Sequence, residues 1–109
     1  MANTAVNVDI LETITNYISE IKKHYKVDSI VLFGSYAHGT NHEDSDIDIA
    51  VISSDITDVF DDMAKLMSLT WGINTKIEPH PIKTENFRKD NDPFIDEIIQ
   101  TGIQIYAAA

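Results

Sequence analysis

The sequence predicts an α/β (α+β) domain, a small mixed β-sheet with helices packed on one of its faces. Three observations carry this. Apolar residues recur at helical spacing in three stretches, and apolar runs of strand length stand between them. Gly or Pro punctuates most of the boundaries.

The elements follow in chain order. Leu11, Ile14, Ile18, Ile21 and Tyr25 step by three and four, which makes one apolar stripe of a helix over residues 8–25. Lys22, Lys23, His24 and Lys26 crowd its end, where cations favour the helix dipole. Val27 to Phe33 reads as a strand, its last four residues continuously apolar, and Gly34-Ser35 ends it. Asp46 to Ile52 reads as a second strand. Thr57 to Trp71 is a second helix with Val59, Met63, Leu66 and Thr70 on one face and Gly72 at its C′ position. Ile73 to Glu78 is a third strand, stopped by Pro79 and Pro81. Thr84–Asp92 is polar and reads as loop. Phe94, Ile95, Ile98 and Ile99 form a short helix from Pro93 to Gly102, and Ile103 to Tyr106 is the last strand. Phe33 and Trp71 read as core residues.

The 109 residues and 43% hydrophobic content suit one domain, taken as residues 1–106, with 107–109 a tail or cloning scar. There are no cysteines, so disulfides and thiolate metal sites are out, which fits a cytoplasmic location. No apolar run approaches a membrane span, and the N-terminus lacks a signal-peptide h-region. The 18 acids against 8 Lys and Arg give a formal net charge of −10. Such a field opposes a long nucleic acid as acceptor and favours cations or basic partner proteins. A nucleotide carried in by Mg²⁺ escapes that argument, because the metal reverses the local charge.

Side chains alternate along a strand, so Asp46 and Asp48 share a face, while Ile47, Ile49 and Val51 take the face covered by helices. Their backbones stand roughly 7 Å apart, yet the carboxylates can converge on ions about 4 Å apart. If Ile77 faces the helices with Ile49, Glu78 joins the two aspartates. Three carboxylates on one face make an oxygen-rich site for Mg²⁺ or Mn²⁺. Asp-x-Asp on a strand is more often solvated surface, and each residue alone is weak. The stretch from Asp44 also resembles the start of an EF-hand loop, but Ile49 stands where that loop needs Gly and Asp55 where it needs Glu. His38, His42 and His80 are scattered, which argues against zinc. His80, between two prolines, reads as a rigid-turn residue whose nearness to Glu78 leaves a site role open, and Lys76 as a surface residue, with a phosphate contact as its alternative.

Gly34-Ser35 changes the weights. Backbone N–H groups at such a turn bind phosphate oxygens. Gly34 permits close approach, Ser35 adds a hydroxyl, Tyr36-Ala37-His38 can form a short helix, and Gly39 lets the chain turn out.

Gly34-Ser35-Tyr36-Ala37-His38-Gly39 followed by Ser45-Asp46-Ile47-Asp48 resembles the G-S-x-A-x-G…S-D-x-D signature of the minimal nucleotidyltransferases, within the polymerase-beta-like nucleotidyltransferase superfamily. The resemblance implies the nucleotidyltransferase fold over essentially the whole chain. It implies that Gly34 and Ser35 hold the β- and γ-phosphates of a nucleoside triphosphate, with Tyr36 and His38 completing the nucleotide site. His38 stands where many members carry Arg. Asp46 and Asp48 would ligate two Mg²⁺ ions, and Glu78 would complete the metal and catalytic set. ATP would be the substrate and AMP the transferred group.

Members of this size are often paired with a HEPN-type helical protein in toxin–antitoxin operons, and some adenylylate that partner. The resemblance therefore implies an antitoxin acting on a HEPN-type protein. A non-catalytic antitoxin that masks its partner, a small-molecule nucleotidyltransferase and a homo-oligomer are the alternatives that stay open.

Overall fold

The stripe of Ile14, Ile18 and Ile21 closes into helix α1 (Val8–Ile21) in the computed structural model, which describes residues 8–109. Tyr25 follows in a turn and is still buried. The chain then runs through β1 (Val27–Phe33), a short α2 (Ser35–His38), β2 (Ile47–Ser53), α3 (Val59–Ser68), β3 (Ile77–Lys83), a 3₁₀ turn (Thr84–Asn86), α4 (Pro93–Thr101) and β4 (Ile103–Ala107).

The four strands form one mixed sheet in the order β3-β2-β1-β4. β1 is antiparallel to both neighbours, and β2 and β3 are parallel. Parallel strands need a crossover, and α3 supplies it. The continuous apolar run of β1 is explained by this order, since it lies inside the sheet between two partners and is buried on both faces.

One face carries Ile30, Leu32, Ile47, Ile49, Val51 and Ile77, packed with Ile14, Tyr17, Ile18 and Ile21 of α1 and Leu66 of α3. Burying each such Ile or Leu side chain stabilises the fold by about 1.5–3 kcal/mol. The Tyr17 hydroxyl donates to Leu66 O at 2.7 Å, which satisfies a buried phenol and ties α1 to α3. α3 is capped by Asp58, whose side chain accepts from the N–H groups of Phe60 and Asp61.

The two long helices share one face, but the expectation that the helices pack on one face is corrected by α4. The short α4 lies on the other, where Ile95 and Ile98 pack with Val31, Phe33, Ala50, Ile52 and Ile82. The other face of the sheet is left open at the end where β1 finishes and β2 begins.

Three further expectations are corrected. The third strand is Ile77–Lys83, not Ile73–Glu78, so Pro79 and Pro81 lie inside it and His80 is a strand residue rather than part of a turn. β3 is an edge strand, and prolines two apart place both missing donors on the side without a neighbour. The second helix ends at Ser68 rather than Trp71, and Gly72 sits in the turns beyond it. Those turns carry Trp71 out of the core, leaving it 79% exposed. β4 runs one residue beyond Tyr106, with Ala107 paired to Ser29.

Candidate active site

The register assembles the candidate residues. Phe33 pairs with Asp48 across β1–β2, so the turn that follows β1 opens directly over the start of β2. Gly34 there has φ 74°, a conformation that side chains rarely adopt. It also lies against the Asp48 side chain, where a β-carbon would overlap Oδ2. Two independent constraints therefore demand glycine at this position.

Ser35 starts α2, whose turn is closed by bonds from the Ala37 and His38 N–H groups to Gly34 O at 3.1 Å. Gly39 caps the helix in the left-handed conformation, and Thr40 N–H donates to Ser35 O at 3.0 Å. Tyr36 and Ala37 pack against the helix-side core, whereas His38 is exposed. The turn and the carboxylates thus meet through Gly34, and His38 points to solvent.

The loop before β2 is locked by Ser45. Its hydroxyl accepts from the His42 N–H at 2.9 Å, and its own N–H donates to His42 O at 3.0 Å. Lys76 bonds the Glu43 carbonyl across the loop. Ile47 N–H donates to Lys76 O at 2.9 Å. These contacts fix Asp46 just ahead of the strand.

β2 and β3 run parallel with Asp48 opposite Glu78 and Ala50 opposite His80. Asp48, Glu78 and His80 therefore share the face expected for the carboxylates, and their ligand atoms lie within 4.8 Å of one another. Burial, the neighbouring Asp46 carboxyl at the strand's entry and the charge of Asp48 push the Glu78 carboxyl above its ordinary range, only partly offset by His80.

Among the described residues no Lys or Arg forms an ion pair with Asp46, Asp48 or Glu78. Three crowded carboxylates with no internal cation suit a divalent ion with hard-oxygen preference, so the residues fit the metal expected for them.

Sequence reading favours a turn role for His80 and leaves a site role open, without placing it on the carboxylate face. The alternation Glu78-x-His80 is the available signal, because it repeats the Asp46-x-Asp48 step. It was obscured by the flanking prolines. The ring meets Phe33 edge-on at 5.0 Å between centroids and lies 5.8 Å from Phe94. On its far side a cleft of about 390 Å³ runs between α3, β3 and α4, lined by Val59, Met63, Pro81, Phe94 and others.

The family profile described as Polymerase beta, Nucleotidyltransferase matches residues 12–109. The Methanocaldococcus jannaschii "Putative protein adenylyltransferase MJ0604" is 29% identical over 99 residues, covering 87% of this chain and 96% of that protein. The same organism's "Putative protein adenylyltransferase MJ1215" is 51% identical over 43 residues, 39% of this chain, and the match spans 50% of that relative's length. Among solved structures, the crystal structure of a toxin–antitoxin with AMP-PNP superposes with a TM-score of 0.59 and 26% identity, covering 90% of this chain and 73% of that one. A structure of the tri-AMPylated Shewanella oneidensis HEPN toxin with MNT antitoxin gives a TM-score of 0.55 at 21% identity, covering 93% and 74%. The latter likeness is one of fold alone. No helix among the described residues is long and apolar enough to cross a membrane.

Proposed function

The chain belongs to the polymerase beta nucleotidyltransferase family, and from that premise we propose that it transfers AMP from ATP to a hydroxyl of a HEPN-type partner protein. The observation that carries this reading is the packing of Gly34 on Asp48, which joins a phosphate-type turn to a carboxylate platform.

Asp46, Asp48 and Glu78 would hold the divalent cations, Mg²⁺ or Mn²⁺. When bound, these neutralise charge on the attacking and leaving oxygens of an in-line displacement. Gly34 lets the triphosphate approach the backbone. The Ser35 hydroxyl and the backbone N–H groups of Ser35 and Tyr36, which precede the turn-closing bonds of Ala37 and His38 to Gly34 O, orient the β- and γ-phosphates. Much of the rate gain then comes from alignment of the α-phosphorus against the acceptor oxygen.

In the transfer the acceptor oxygen bonds to the α-phosphorus, the bond to the bridging oxygen breaks, and pyrophosphate leaves. The acceptor proton passes to the Glu78 carboxylate.

The likeness to a toxin–antitoxin bound to AMP-PNP supports an adenine nucleotide and a protein acceptor. The HEPN-type partner rests on the resemblance of Gly34 to Gly39 and Ser45 to Asp48 to the minimal nucleotidyltransferase signature, whose members are often paired with such proteins. The net charge of −10 favours a protein over a polynucleotide acceptor.

The test is incubation with α-labelled ATP, Mg²⁺ and the protein encoded by the neighbouring gene, which this reading expects to be of HEPN type. Label should reach the partner with wild-type protein and be absent with Asp46→Asn/Asp48→Asn. An unlabelled but silenced partner would replace this reading with masking by contact.

A further inference from the structure

We propose that His80 is itself a metal ligand, adding an imidazole beside the Asp48 and Glu78 carboxylates and giving the site a preference for Mn²⁺ or Co²⁺ over Mg²⁺. The proposal rests on the reading of Asp48 and Glu78 as metal residues and adds a nitrogen donor to it.

The geometry points this way. His80 Nε2 stands 3.4 Å from Asp48 Oδ1 and 3.4 Å from Glu78 Oε1. Both separations are long for a hydrogen bond to a carboxylate, which favours about 2.7–2.9 Å. Both are close to the roughly 3 Å between adjacent donors of a six-coordinate divalent ion with bonds near 2.1 Å. The nitrogen is thus aimed between two oxygens without settling on either.

The ring is held in that attitude from outside the cluster. Phe33 meets it edge-on at 5.0 Å and Phe94 stands 5.8 Å away, while Phe33 and Phe94 contact each other at 5.6 Å. These aromatics come from β1 and α4, so two elements remote in sequence fix one imidazole. The side chain is 20% exposed, against 45% for Glu78, so it stands at the inner wall of the site. A preorganised donor loses little freedom on binding.

The donor set decides the ion. Oxygen-only sites suit Mg²⁺, which resists dehydration and gains little from imidazole. Imidazole raises affinity along the transition series. Phosphoryl chemistry would proceed with such ions as with Mg²⁺, because each offers the same charge at the same oxygens.

The experiment adds Mn²⁺ to purified full-length protein, with and without tripolyphosphate, an anion free of nitrogen. Pulsed EPR should show ¹⁴N coupling to Mn²⁺. That coupling should convert to a ¹⁵N signal when histidine alone is ¹⁵N-labelled, and vanish in His80→Gln. Calorimetry should show Co²⁺ affinity falling about 10-fold or more in His80→Gln, with Mg²⁺ affinity changed by less than about 3-fold. Mn²⁺ bound without histidine nitrogen coupling would overturn the proposal and leave the carboxylate reading standing. No specific Mn²⁺ binding under either condition would overturn both. His24→Gln, His38→Gln and His42→Gln should each keep the coupling, which assigns it to His80 even where His80→Gln folds poorly, and loss of the coupling in any of these three would overturn the proposal.

Discussion

Gly34 and Asp48 touch across the end of the β1–β2 ladder: a β-carbon on Gly34 would stand 3.3 Å from Asp48 Cγ and overlap its Oδ2. The phosphate-type turn and the first strand carboxylate are therefore one mechanical unit. Moving either displaces the other.

Gly34→Ala tests that unit. Alanine at φ 74° and ψ −152°, a region essentially confined to glycine, is strained by about 1–3 kcal/mol, and its methyl must push the Asp48 side chain aside. The melting temperature should fall by roughly 4–8 °C per kcal/mol lost. AMP transfer should fall by about 10²-fold, because misplacement of the reacting groups by an ångström has that scale of effect. Wild-type transfer rates in Gly34→Ala, measured with labelled ATP, would show that the contact has no catalytic consequence.

Glu78→Gln should separate stability from function. The folded state raises the Glu78 carboxyl above its ordinary pKa of 4.5, chiefly through burial, then through Asp46 and Asp48. The native chain therefore holds this proton to higher pH than the unfolded chain does. Its contribution to stability declines as pH rises through that window. Glutamine removes the penalty while keeping the shape. Metal-free Glu78→Gln should melt higher than wild type at neutral pH and equally below the ordinary Glu pKa. Its transfer activity should drop by about 10³-fold, the scale of losing a key electrostatic group. Thermal melts in EDTA at the two pH values give the first result, and a labelling assay gives the second.

Two other glycines make a matched pair. A β-carbon at Gly102 would overlap Val31 Cγ1 and stand 2.6 Å from Ile98 O, whereas at Gly72 nothing lies within 4 Å. Gly102→Ala should cost about 1–3 kcal/mol by overpacking the junction of α4 and β1. Gly72→Ala should be neutral or stabilise by up to about 1 kcal/mol through the unfolded chain. Denaturant melts of the two variants check this, and equal midpoints would contradict the close packing at Gly102.

The carboxylate face was legible because strand alternation is a local rule. Asp48 and Ile49 needed only a period of two, and Glu78 followed from Ile77 facing the core, whereas Asp46 lies just ahead of β2 rather than inside it, where the reading from Asp46 to Ile52 puts it. The extent of β3 was not legible, because tolerance of Pro79 and Pro81 depends on which strand is at the edge. That is a property of the sheet rather than of the segment. His80 was hidden by the same error, since a residue in a turn has no assigned face. Trp71 was misplaced because helical periodicity continues past Ser68, while the chain leaves the helix there. α4 sits on the second face because its Ile95 and Ile98 cover the apolar half of Ala50, Ile52 and Ile82, which the period-two reading left next to the carboxylates.

Tyr25 and Asp62 make an acid-sensitive link between the end of α1 and the start of α3. The Tyr25 hydroxyl donates to Asp62 Oδ1 at 2.7 Å, and Thr57 and Asp58 N–H groups donate to Oδ2 at 2.9 and 3.2 Å. Burial pushes Asp62 up, but the bonds from Tyr25, Thr57 and Asp58 and the charge of Lys65 outweigh it and hold the carboxyl below its ordinary 3.8. A carboxyl lowered on folding stabilises above its unfolded pKa, and that stabilisation is lost as pH falls through the folded value. Tyr25→Phe keeps the ring under Lys65 and removes one donor. It should cost about 1 kcal/mol at neutral pH. The gap between the two proteins should narrow below pH 3.8, as protonation of Asp62 weakens the bond in wild type. Urea titrations across that range measure the gap directly, and a gap that stays constant with pH would show that the hydroxyl acts through packing rather than through the Asp62 charge.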